Sequence, residues 1–356
     1  MKAYVLQGIG QLDYTDVPVP ELKSGWALVK VEAAGICGSD IPRIFQTGTY
    51  HFPTIPGHEF AGSVADVFDE KDRAWIGKRV GVFPLIPCME CFVCKEDAYE
   101  MCRNYDYLGS RRDGGFAEFA AVPVWNLIEI PEEMSMEEAA MLEPASVALH
   151  ALRRLTITSK DTAALFGLGT IGIILAQWLH IFGIEKVYTV GHNSKHGEIM
   201  KLTASEDYEY LSAACPDGES LLTEDAVTRI LEKTGGEGVS IAIDCAGTSE
   251  TLTNCLGCVR PGGQVLAVGN PKGDIVFDKN SYWKILRNQI RLTGTWNSSF
   301  CHSKEDDWHR TIEACCNKEL CLSELITHRL DFGELKKGLA IAKDRLEYHN
   351  KIIISP

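Results

Sequence analysis

The chain has 356 residues, with 35 lysines and arginines, 49 aspartates and glutamates, and a formal net charge of −14 at pH 7. This acidic balance argues against a nucleic-acid-binding protein, because such a protein needs a basic surface to meet phosphates. The length is sufficient for two domains, each with its own core.

The composition also bears on the compartment. The N-terminal segment, Met1–Leu6, has no apolar signal-peptide region, and the most apolar run, residues 170–184, is too short to span a bilayer. Thirteen cysteines in such a chain indicate metal ligands or plain thiols in a reducing compartment, not a disulfide framework. We therefore expect a cytoplasmic protein that binds neither nucleic acid nor a membrane.

Short strands are predicted within residues 1–33, and the last of them, Ala27–Ala33, ends just before Cys37. Cys37, His58 and Glu59 together offer sulfur, nitrogen and oxygen, a set that suits Zn²⁺ in a tetrahedral shell. A catalytic zinc also needs an exchangeable position, and Glu143 is a candidate for a fourth ligand there. The alternative is a buried thiol at Cys37 and a surface turn at His58 and Glu59.

Two residues close to Cys37 complete this predicted site. Asp40 could accept a hydrogen bond from the outer ring nitrogen of His58 and so fix the tautomer that a metal ligand needs. Ser39 could pass on the proton that a substrate hydroxyl loses. We therefore expect Ser39, Asp40 and Glu143 to take part in catalysis.

A cysteine cluster follows, with the spacing Cys88-x₂-Cys91-x₂-Cys94-x₇-Cys102. This spacing predicts a closed structural zinc site in a lobe spanning residues 85–105. An iron–sulfur cluster is the alternative, since thiolates with the same spacing hold such clusters. The separate Cys/His/Glu set favours zinc at both places. Structural zinc contributes roughly 10–16 kcal/mol in small sites, so its loss should melt the lobe.

Residues 109–119 predict a loop rich in glycine and charge, whose tail continues as a strand to Val122. Arg111 and Arg112 are adjacent in this loop, and their guanidinium groups could bind a phosphate bidentately. Two solvated surface cations are the alternative.

Ser135 and Glu138 form a capping-box pattern ahead of a predicted helix. Pro144 is expected to interrupt this helix and to bias Glu143 away from helical geometry. A carboxylate at such a kink could exchange with water at the zinc. A helix-end carboxylate that faces solvent is the alternative.

A second domain is predicted to begin near Leu152. Its first strand, Thr162–Phe166, leads into a G-x-G-x-x-G motif and an apolar helix that continues to Phe182. Between a strand and a helix this motif is a dinucleotide fingerprint, because its glycines let the backbone approach a pyrophosphate at the helix N-terminus. The predicted cofactor-binding residues of the motif are Gly167, Gly169, Thr170, Ile171 and Gly172.

The next predicted strand, Lys186–Val190, ends where an acidic ribose-binding residue is expected, roughly 20 residues beyond the fingerprint. Gly191 stands there instead, and no carboxylate holds a 2′-hydroxyl or repels a 2′-phosphate. His192 and Lys195 could pair with that phosphate. The pattern therefore predicts a preference for NADP(H), while NAD(H) bound through backbone contacts remains the alternative.

The quoted motifs together resemble the zinc-dependent medium-chain dehydrogenase/reductase family. The resemblance is carried by Gly57-His58-Glu59, by the four-cysteine lobe and by the motif at residues 167–172. Glu59 and the pair Glu143-Pro144 are similar to the polyol dehydrogenase branch.

This resemblance implies an α/β fold that combines a GroES-like β-rich catalytic domain with a Rossmann doubly wound parallel sheet. The implied domains are residues 1–151 for catalysis, residues 152–295 for the dinucleotide, and residues 296–356 as a return to the catalytic domain. The resemblance also implies two Zn²⁺ per chain, a small-molecule substrate, and a homodimer or homotetramer.

Three segments, at residues 37–45, 109–116 and 284–287, are similar to family members that act on sugar-alcohol phosphates. The resemblance implies oxidation of a secondary alcohol to a ketose phosphate, with Arg43, Arg111 and Arg112 as candidates for the phosphate. It also implies NAD, and Gly191 departs from that pattern. The alternatives are an unphosphorylated polyol or threonine dehydrogenase, and a dinucleotide-binding regulator on the same scaffold.

Overall fold

The computed structural model describes residues 1–213, 223–271 and 273–355. The strands are β1 (Lys2–Gly8), β2 (Gln11–Asp16), β3 (Trp26–Ile36), β4 (Glu59–Val67), β5 (Arg79–Val82), β6 (Leu85–Ile86), β7 (Asp106–Tyr107), β8 (Phe119–Pro123), β9 (Leu127–Glu129), β10 (Thr162–Phe166), β11 (Lys186–Gly191), β12 (Glu209–Ser212), β13 (Val239–Asp244), β14 (Val259–Ala267), β15 (Arg291–Gly294), β16 (Ile326–Asp331) and β17 (Lys351–Ser355).

The α-helices are α1 (Asp40–Pro42), α2 (Met136–Ala140), α3 (Leu142–Arg153), α4 (Thr170–Ile181), α5 (Ser194–Thr203), α6 (Thr223–Lys233), α7 (Ser249–Cys258), α8 (Lys279–Arg287), α9 (Asp307–Cys316) and α10 (Leu335–Asp344). A π-helical turn covers Arg43–Thr47, and short 3₁₀ helices cover Glu70–Trp75, Cys94–Glu96, Tyr99–Met101, Val124–Asn126, Ser323–Leu325 and Phe332–Glu334. Within the described ranges, no helix is both long and apolar enough to cross a membrane.

The chain divides into two compact units. The first comprises Met1–Pro144, Ser299–Asn317 and Leu322–Pro356, and the second comprises Ala145–Ser298 and Lys318–Cys321.

The second unit is built on a parallel sheet. Among the described residues this sheet has six strands in the order β12-β11-β10-β13-β14-β15, and every neighbouring pair is parallel. With the strands numbered from β10, this is the order 3-2-1-4-5-6, the doubly wound order of dinucleotide-binding domains. Its inner strands β10, β11 and β13 are almost entirely buried, as expected for a sheet covered on both faces.

The first unit is built on a mostly antiparallel sheet. Its order along the described chain is β16-β17-β3-β4-β5-β9, with β8 also paired to β3, and only β16 and β17 run parallel. Strand β3 is central, so the residues at its end lie beside both β4 and β17. The predicted α/β class, with a β-rich domain and a doubly wound parallel sheet, is confirmed.

Two sequence features that break regular structure lie inside elements, and the interruption predicted at Pro144 was wrong. The interruption before α3 falls at Met141, so Glu143 and Pro144 lie inside the first turn of that helix. Proline is tolerated there because the first backbone N–H groups of a helix have no intrahelical partner. Pro261-Gly262-Gly263, a sequence typical of a turn, lies within β14, where the pairing register with β13 shifts and Gly262 has φ +72°. The loop is therefore a bulge in the strand.

The capping box ahead of α2 is present. The Ser135 side chain accepts from the Glu138 backbone N–H, and the Glu138 side chain accepts from the Ser135 backbone N–H. This arrangement satisfies two donors that would otherwise lack partners at the helix start.

Candidate active site

Three potential metal ligands converge at the ends of neighbouring strands in the first unit. Cys37 follows the last residue of β3, and His58 precedes Glu59, which begins β4. Gly35 is the cross-strand partner of Glu59, so the register brings the two strand ends together. One ligand atom each from Cys37, His58 and Glu59 lies within 4.8 Å of the others. A sulfur, an imidazole nitrogen and a carboxylate oxygen at this separation fit the donor set of a zinc ion.

Asp40 holds His58 in place. It is fully buried in α1, and its Oδ1 lies 3.3 Å from Nδ1 of His58. Its Oδ2 accepts from the Cys37 backbone N–H at 3.0 Å, and Oδ1 also accepts from Nη1 of Arg43 at 2.8 Å. This arrangement leaves Nε2 of His58 as the nitrogen for a metal.

The electrostatics agree with this arrangement. Burial alone would raise the pKa of Asp40, but the neighbouring His58 and Arg43 outweigh it and lower that pKa. Burial would lower the pKa of His58, but Asp40 and Cys37 outweigh it and raise that pKa well above its ordinary value. Arg43 and His58 therefore stabilise the ionised form of Asp40 in this buried site.

Ser39 lies against the predicted sulfur ligand. Its hydroxyl donates to Sγ of Cys37 at 3.2 Å, and its backbone N–H approaches the same sulfur at 3.5 Å. Both donors point at the sulfur, so Ser39 lies beside the group of potential metal ligands.

Glu143 is buried next to this group but is not part of the set within 4.8 Å. The Tyr107 hydroxyl donates to its Oε1 at 3.3 Å. Burial first, and the charge of Glu59 as well, raise the pKa of Glu143 to about 7, although His58 acts against them. Its role as a ligand at some stage of turnover stays a prediction.

Lys351 is a site residue that the sequence analysis missed. It begins β17, its side chain is only 2% exposed, and its ammonium group donates to Oε2 of Glu59. Burial would lower the pKa of Lys351, but Glu59 and Cys37 outweigh it and raise that pKa. A lysine at the start of the apolar run Lys351–Ile354 is a signal that could have identified it, since lysine is almost never fully buried without a partner.

The four cysteines of the predicted lobe also converge. The Sγ atoms of Cys91 and Cys94 are 3.4 Å apart, those of Cys88 and Cys94 are 4.0 Å apart, and those of Cys91 and Cys102 are 3.9 Å apart. Sulfurs at about 2.3 Å from one tetrahedral zinc would be about 3.8 Å apart, so the cluster fits that ion. Backbone hydrogen bonds, first from Arg103 and then from Cys94, lower the pKa of Cys91 to about 6.

The three candidate phosphate-binding arginines lie in different surroundings. Arg43 is bonded to Asp40, and Arg112 is exposed and paired with Asp106 at 2.7 Å. The Arg111 guanidinium lies over the rings of Tyr50 and Tyr105, at 4.1 and 4.4 Å from their centroids. Its Nη1 donates to the Tyr105 carbonyl, while its buried Nε has no hydrogen-bond partner in the part of the chain that the structure describes.

The glycine motif of the second unit lies between β10 and α4. Gly167 has φ +102°, Gly169 is the N-cap of α4, and a Cβ on Gly172 would lie 2.0 Å from the Gly167 carbonyl oxygen. The motif follows β10, beside β13, where the strand order of the sheet reverses. Ligands of doubly wound sheets bind at this point, so a pyrophosphate fits at the N-terminus of α4.

The residues predicted to distinguish NADP(H) from NAD(H) follow the neighbouring strand, β11. Gly191 ends β11 and is buried, and the Tyr210 hydroxyl donates to its carbonyl at 2.9 Å. His192 and Lys195 are exposed, and Lys195 lies in the first turn of α5. A cation in this turn suits a 2′-phosphate, which the helix N-terminus also favours.

Comparisons with known proteins agree with this architecture. Residues 23–132 match the family model described as the alcohol dehydrogenase GroES-like domain, and residues 170–315 match the model described as zinc-binding dehydrogenase. The first match contains the predicted ligands Cys37, His58 and Glu59, and the second begins within the glycine motif.

Similar proteins cover most or all of the chain. Galactitol 1-phosphate 5-dehydrogenase of Escherichia coli K12 is 29% identical over 361 residues, covering 100% of both chains. Sorbitol dehydrogenase of Bacillus subtilis 168 is 32% identical over 276 residues, covering 76% of this chain and 75% of that one. A zinc-binding dehydrogenase from Sinorhizobium meliloti 1021, solved with NADP bound, is 26% identical with a TM-score of 0.88, covering 100% and 99% of the two chains. The chain therefore belongs to the zinc-dependent medium-chain dehydrogenase/reductase family and is an alcohol or polyol dehydrogenase.

Proposed function

We propose that this dehydrogenase transfers hydride between a secondary alcohol of a sugar-alcohol phosphate, similar to galactitol 1-phosphate, and NAD(P), with NADP(H) favoured. The convergence of Cys37, His58 and Glu59 carries the proposal, because it provides the donor set for a catalytic metal. The full-length similarity to a galactitol 1-phosphate dehydrogenase supports this substrate class.

Cys37, His58 and Glu59 would hold the catalytic zinc, with Glu143 as a ligand at some stage, and the four-cysteine lobe would hold the structural zinc. When bound, the catalytic zinc supplies Lewis acidity, which in other proteins lowers the pKa of water from about 15.7 to about 7. The nicotinamide cofactor supplies the hydride chemistry.

The chain's own residues have positioning and proton-transfer roles in this mechanism. Asp40 fixes the ring of His58 through Nδ1. The hydroxyl of Ser39, which is partly exposed, would accept the proton that the substrate hydroxyl loses and release its own proton to solvent water. Gly167 and Gly172 permit the tight turn and the close packing of α4 on it. Gly169, where an added Cβ would meet open space, lets the backbone approach the pyrophosphate of the cofactor, with Thr170 and Ile171 in the first turn of α4. Lys195 and His192 would pair with a 2′-phosphate, and Gly191 leaves that phosphate unopposed.

Arg111 is the best supported of the three candidates for the substrate phosphate. The two tyrosine rings hold its guanidinium in a fixed orientation. No acceptor among the described residues bonds to its Nε, so this donor is left for a ligand. Such a pre-organised donor loses little entropy when it binds an anion. Arg43 and Arg112 already have carboxylate partners, so they would add charge more than new hydrogen bonds.

An unphosphorylated polyol is the second candidate substrate. The ion pairs of Arg43 and Arg112 favour it, because a phosphate would have to compete with Asp40 and Asp106. The similarity to a sorbitol dehydrogenase also supports it.

Initial rates with galactitol 1-phosphate and with galactitol, each with NAD⁺ and NADP⁺, test the proposal. We expect turnover of the phosphate only, and a higher kcat/KM with NADP⁺. In Arg111→Gln, kcat/KM for the phosphate should fall by about 10- to 100-fold, the effect of one charged hydrogen bond of about 1.5–3 kcal/mol. Arg103→Gln is the matched control, because Arg103 also stacks on an aromatic ring, that of Phe92.

Turnover of galactitol, unaffected by Arg111→Gln, would instead favour the unphosphorylated substrate. No turnover of galactitol 1-phosphate by zinc-loaded protein with either cofactor would refute the proposed substrate.

A further inference from the structure

Lys351 and Glu59 form a buried ion pair at the edge of the candidate zinc site. Both side chains are 2% exposed, and Lys351 Nζ donates to Oε2 of Glu59 and to the Ile36 carbonyl, the latter at 3.3 Å. Ile36 directly precedes Cys37, so the lysine contacts the backbone beside one predicted ligand and the carboxylate of another.

The backbone around this pair leaves space for it. Gly35 faces Glu59 across β3 and β4, and it faces Ile353 across β3 and β17. A Cβ on Gly35 would lie 2.5 Å from Oε2 of Glu59 and 2.7 Å from Cε of Lys351. Any side chain at this position would therefore displace the pair.

A buried lysine carries a large desolvation cost, and apolar residues of similar size often fill such a place at least as well. Lys351 is therefore poorly explained as a packing residue. Its carboxylate partner, however, belongs to the group of potential metal ligands within 4.8 Å of one another. The carboxylate of Glu59 is therefore a contact of the Lys351 ammonium and also a potential ligand of a metal cation.

We propose that Lys351 is a positioning residue that acts through Glu59 and lowers the affinity of the catalytic site for its metal. The ammonium group holds Oε2, so only Oε1 of Glu59 would remain for a metal held together with Cys37 and His58, which would favour an open position for substrate. This inference rests on the proposed zinc site.

The sign of the effect separates this role from others. A cation that competes with the metal for a ligand weakens metal binding, and its removal makes binding tighter. A residue that only orients a ligand has the opposite effect, since loss of such partners typically costs 10–100-fold in metal affinity. A purely structural ion pair changes stability and leaves metal affinity unchanged.

The test compares zinc dissociation constants of the full chain, measured by competition with a chelator, in wild type, Lys351→Met, Lys351→Gln and Lys351→Arg. The zinc that Cys37→Ser fails to bind identifies the catalytic site. Lys351→Gln keeps an uncharged donor for Glu59, so the test holds even if Lys351→Met does not fold. Lys78→Met is the control, because Lys78 forms an ion pair with Glu129 at the surface of the same unit.

We expect Lys351→Met and Lys351→Gln to bind zinc roughly 10–100-fold tighter than wild type, the scale on which partners of metal ligands act. Lys351→Arg and Lys78→Met should stay close to wild type. With Co²⁺ as a spectroscopic substitute, the neutral variants should also show altered visible absorption, because the coordination of Glu59 changes.

Unchanged or weaker zinc binding in Lys351→Gln would overturn this inference and leave the proposed zinc site standing. If the wild-type chain binds no zinc that depends on Cys37, the proposed zinc site fails, and the inference fails with it.

Discussion

Replacement of Asp40 by asparagine tests how the catalytic site is held together. Asp40 accepts from the Cys37 backbone and from Arg43, and it lies 3.3 Å from Nδ1 of His58. An asparagine has the same shape, but it carries no charge and offers one acceptor oxygen instead of two. His58 therefore loses the carboxylate that fixes its tautomer and makes its other nitrogen a stronger ligand.

Two magnitudes follow for Asp40→Asn. Zinc affinity should fall by roughly 10–100-fold, as for other partners of metal-binding histidines, which is about 1.4–2.7 kcal/mol. The free energy of unfolding should fall by about 1–3 kcal/mol, the cost of a buried group left without its partner. This cost stays below that of a fully buried broken pair, because the Arg43 side chain is 19% exposed and can gain water contacts.

Chelator competition gives the zinc dissociation constant, and urea unfolding gives the stability. Asp106→Asn is the matched control. It removes the pair with Arg112, whose two side chains are 37% and 50% exposed, and exposed pairs contribute only about 0–1 kcal/mol. Zinc affinity that is the same in Asp40→Asn and wild type would refute the role of Asp40 at His58.

Three further replacements address the other parts of the molecule. Ser39→Ala should lower kcat by roughly 10²- to 10⁴-fold, the usual contribution of a proton-transfer group. Initial rates of the zinc-loaded protein measure this, and an unaltered kcat would exclude Ser39 from proton transfer. Cys94→Ser should reduce bound zinc to one ion per chain and lower the melting temperature, as metal analysis and calorimetry will show, and two retained zinc ions would contradict a four-cysteine site. Gly191→Asp should shift the ratio of kcat/KM values from NADP⁺ towards NAD⁺ by about 10–100-fold, which corresponds to one charged interaction of about 1.5–3 kcal/mol. Gly191→Ala controls for crowding against Tyr210, whose Cε2 would lie 3.3 Å from the added Cβ. An unshifted ratio in Gly191→Asp would show that this position does not select the cofactor.

Much of the fold was predictable because its signals are local. The apolar strand at Thr162–Phe166, the glycines after it and the apolar helix are one continuous pattern, and the structure has β10, Gly167 and α4 in that order. The cysteine lobe was predictable for the same reason, since all four sulfurs come from one short segment. Each pattern is dictated by a requirement that neighbouring residues satisfy together.

The boundary errors show where local patterns are insufficient. Pro144 predicts an interruption of a helix, yet it lies in the first turn of α3, where a proline needs no N–H donor. The residues Pro261-Gly262-Gly263 read as a turn, but β14 continues through them because β13 pairs with it on both sides of the bulge. In both cases the sequence contains the breaker, and the tertiary context determines which element it interrupts.

The sequence marks Lys351 as a lysine in an apolar strand that needs a partner, but it does not show that this partner is Glu59, because the two residues are separated by 292 positions. Only the antiparallel pairing of β17 with β3, and of β3 with β4, brings the start of β17 beside Glu59. Tyr107 reaches Glu143 in a similar way, through a short strand with no distinctive pattern. Potential metal ligands can be identified from local sequence motifs, whereas the residues that balance their charge are brought to them by the pairing of distant strands.

The buried charges of the site explain why two cations belong in it. Counted as ionised, Cys37, Asp40, Glu59 and Glu143 are negative, while Arg43 and Lys351 are positive, so a dication brings the cluster to neutrality. Buried charges persist only when they are compensated, so the two fixed cations and the metal divide this compensation between them. In the proposed site, Arg43 shares Oδ1 of Asp40 with His58 and so moderates the effect of that carboxylate on the imidazole, while Lys351 would withdraw Glu59 from the metal. Both fixed cations would therefore weaken the hold of a ligand set that carries an excess of negative charge, and so help to keep one position open for an alcohol.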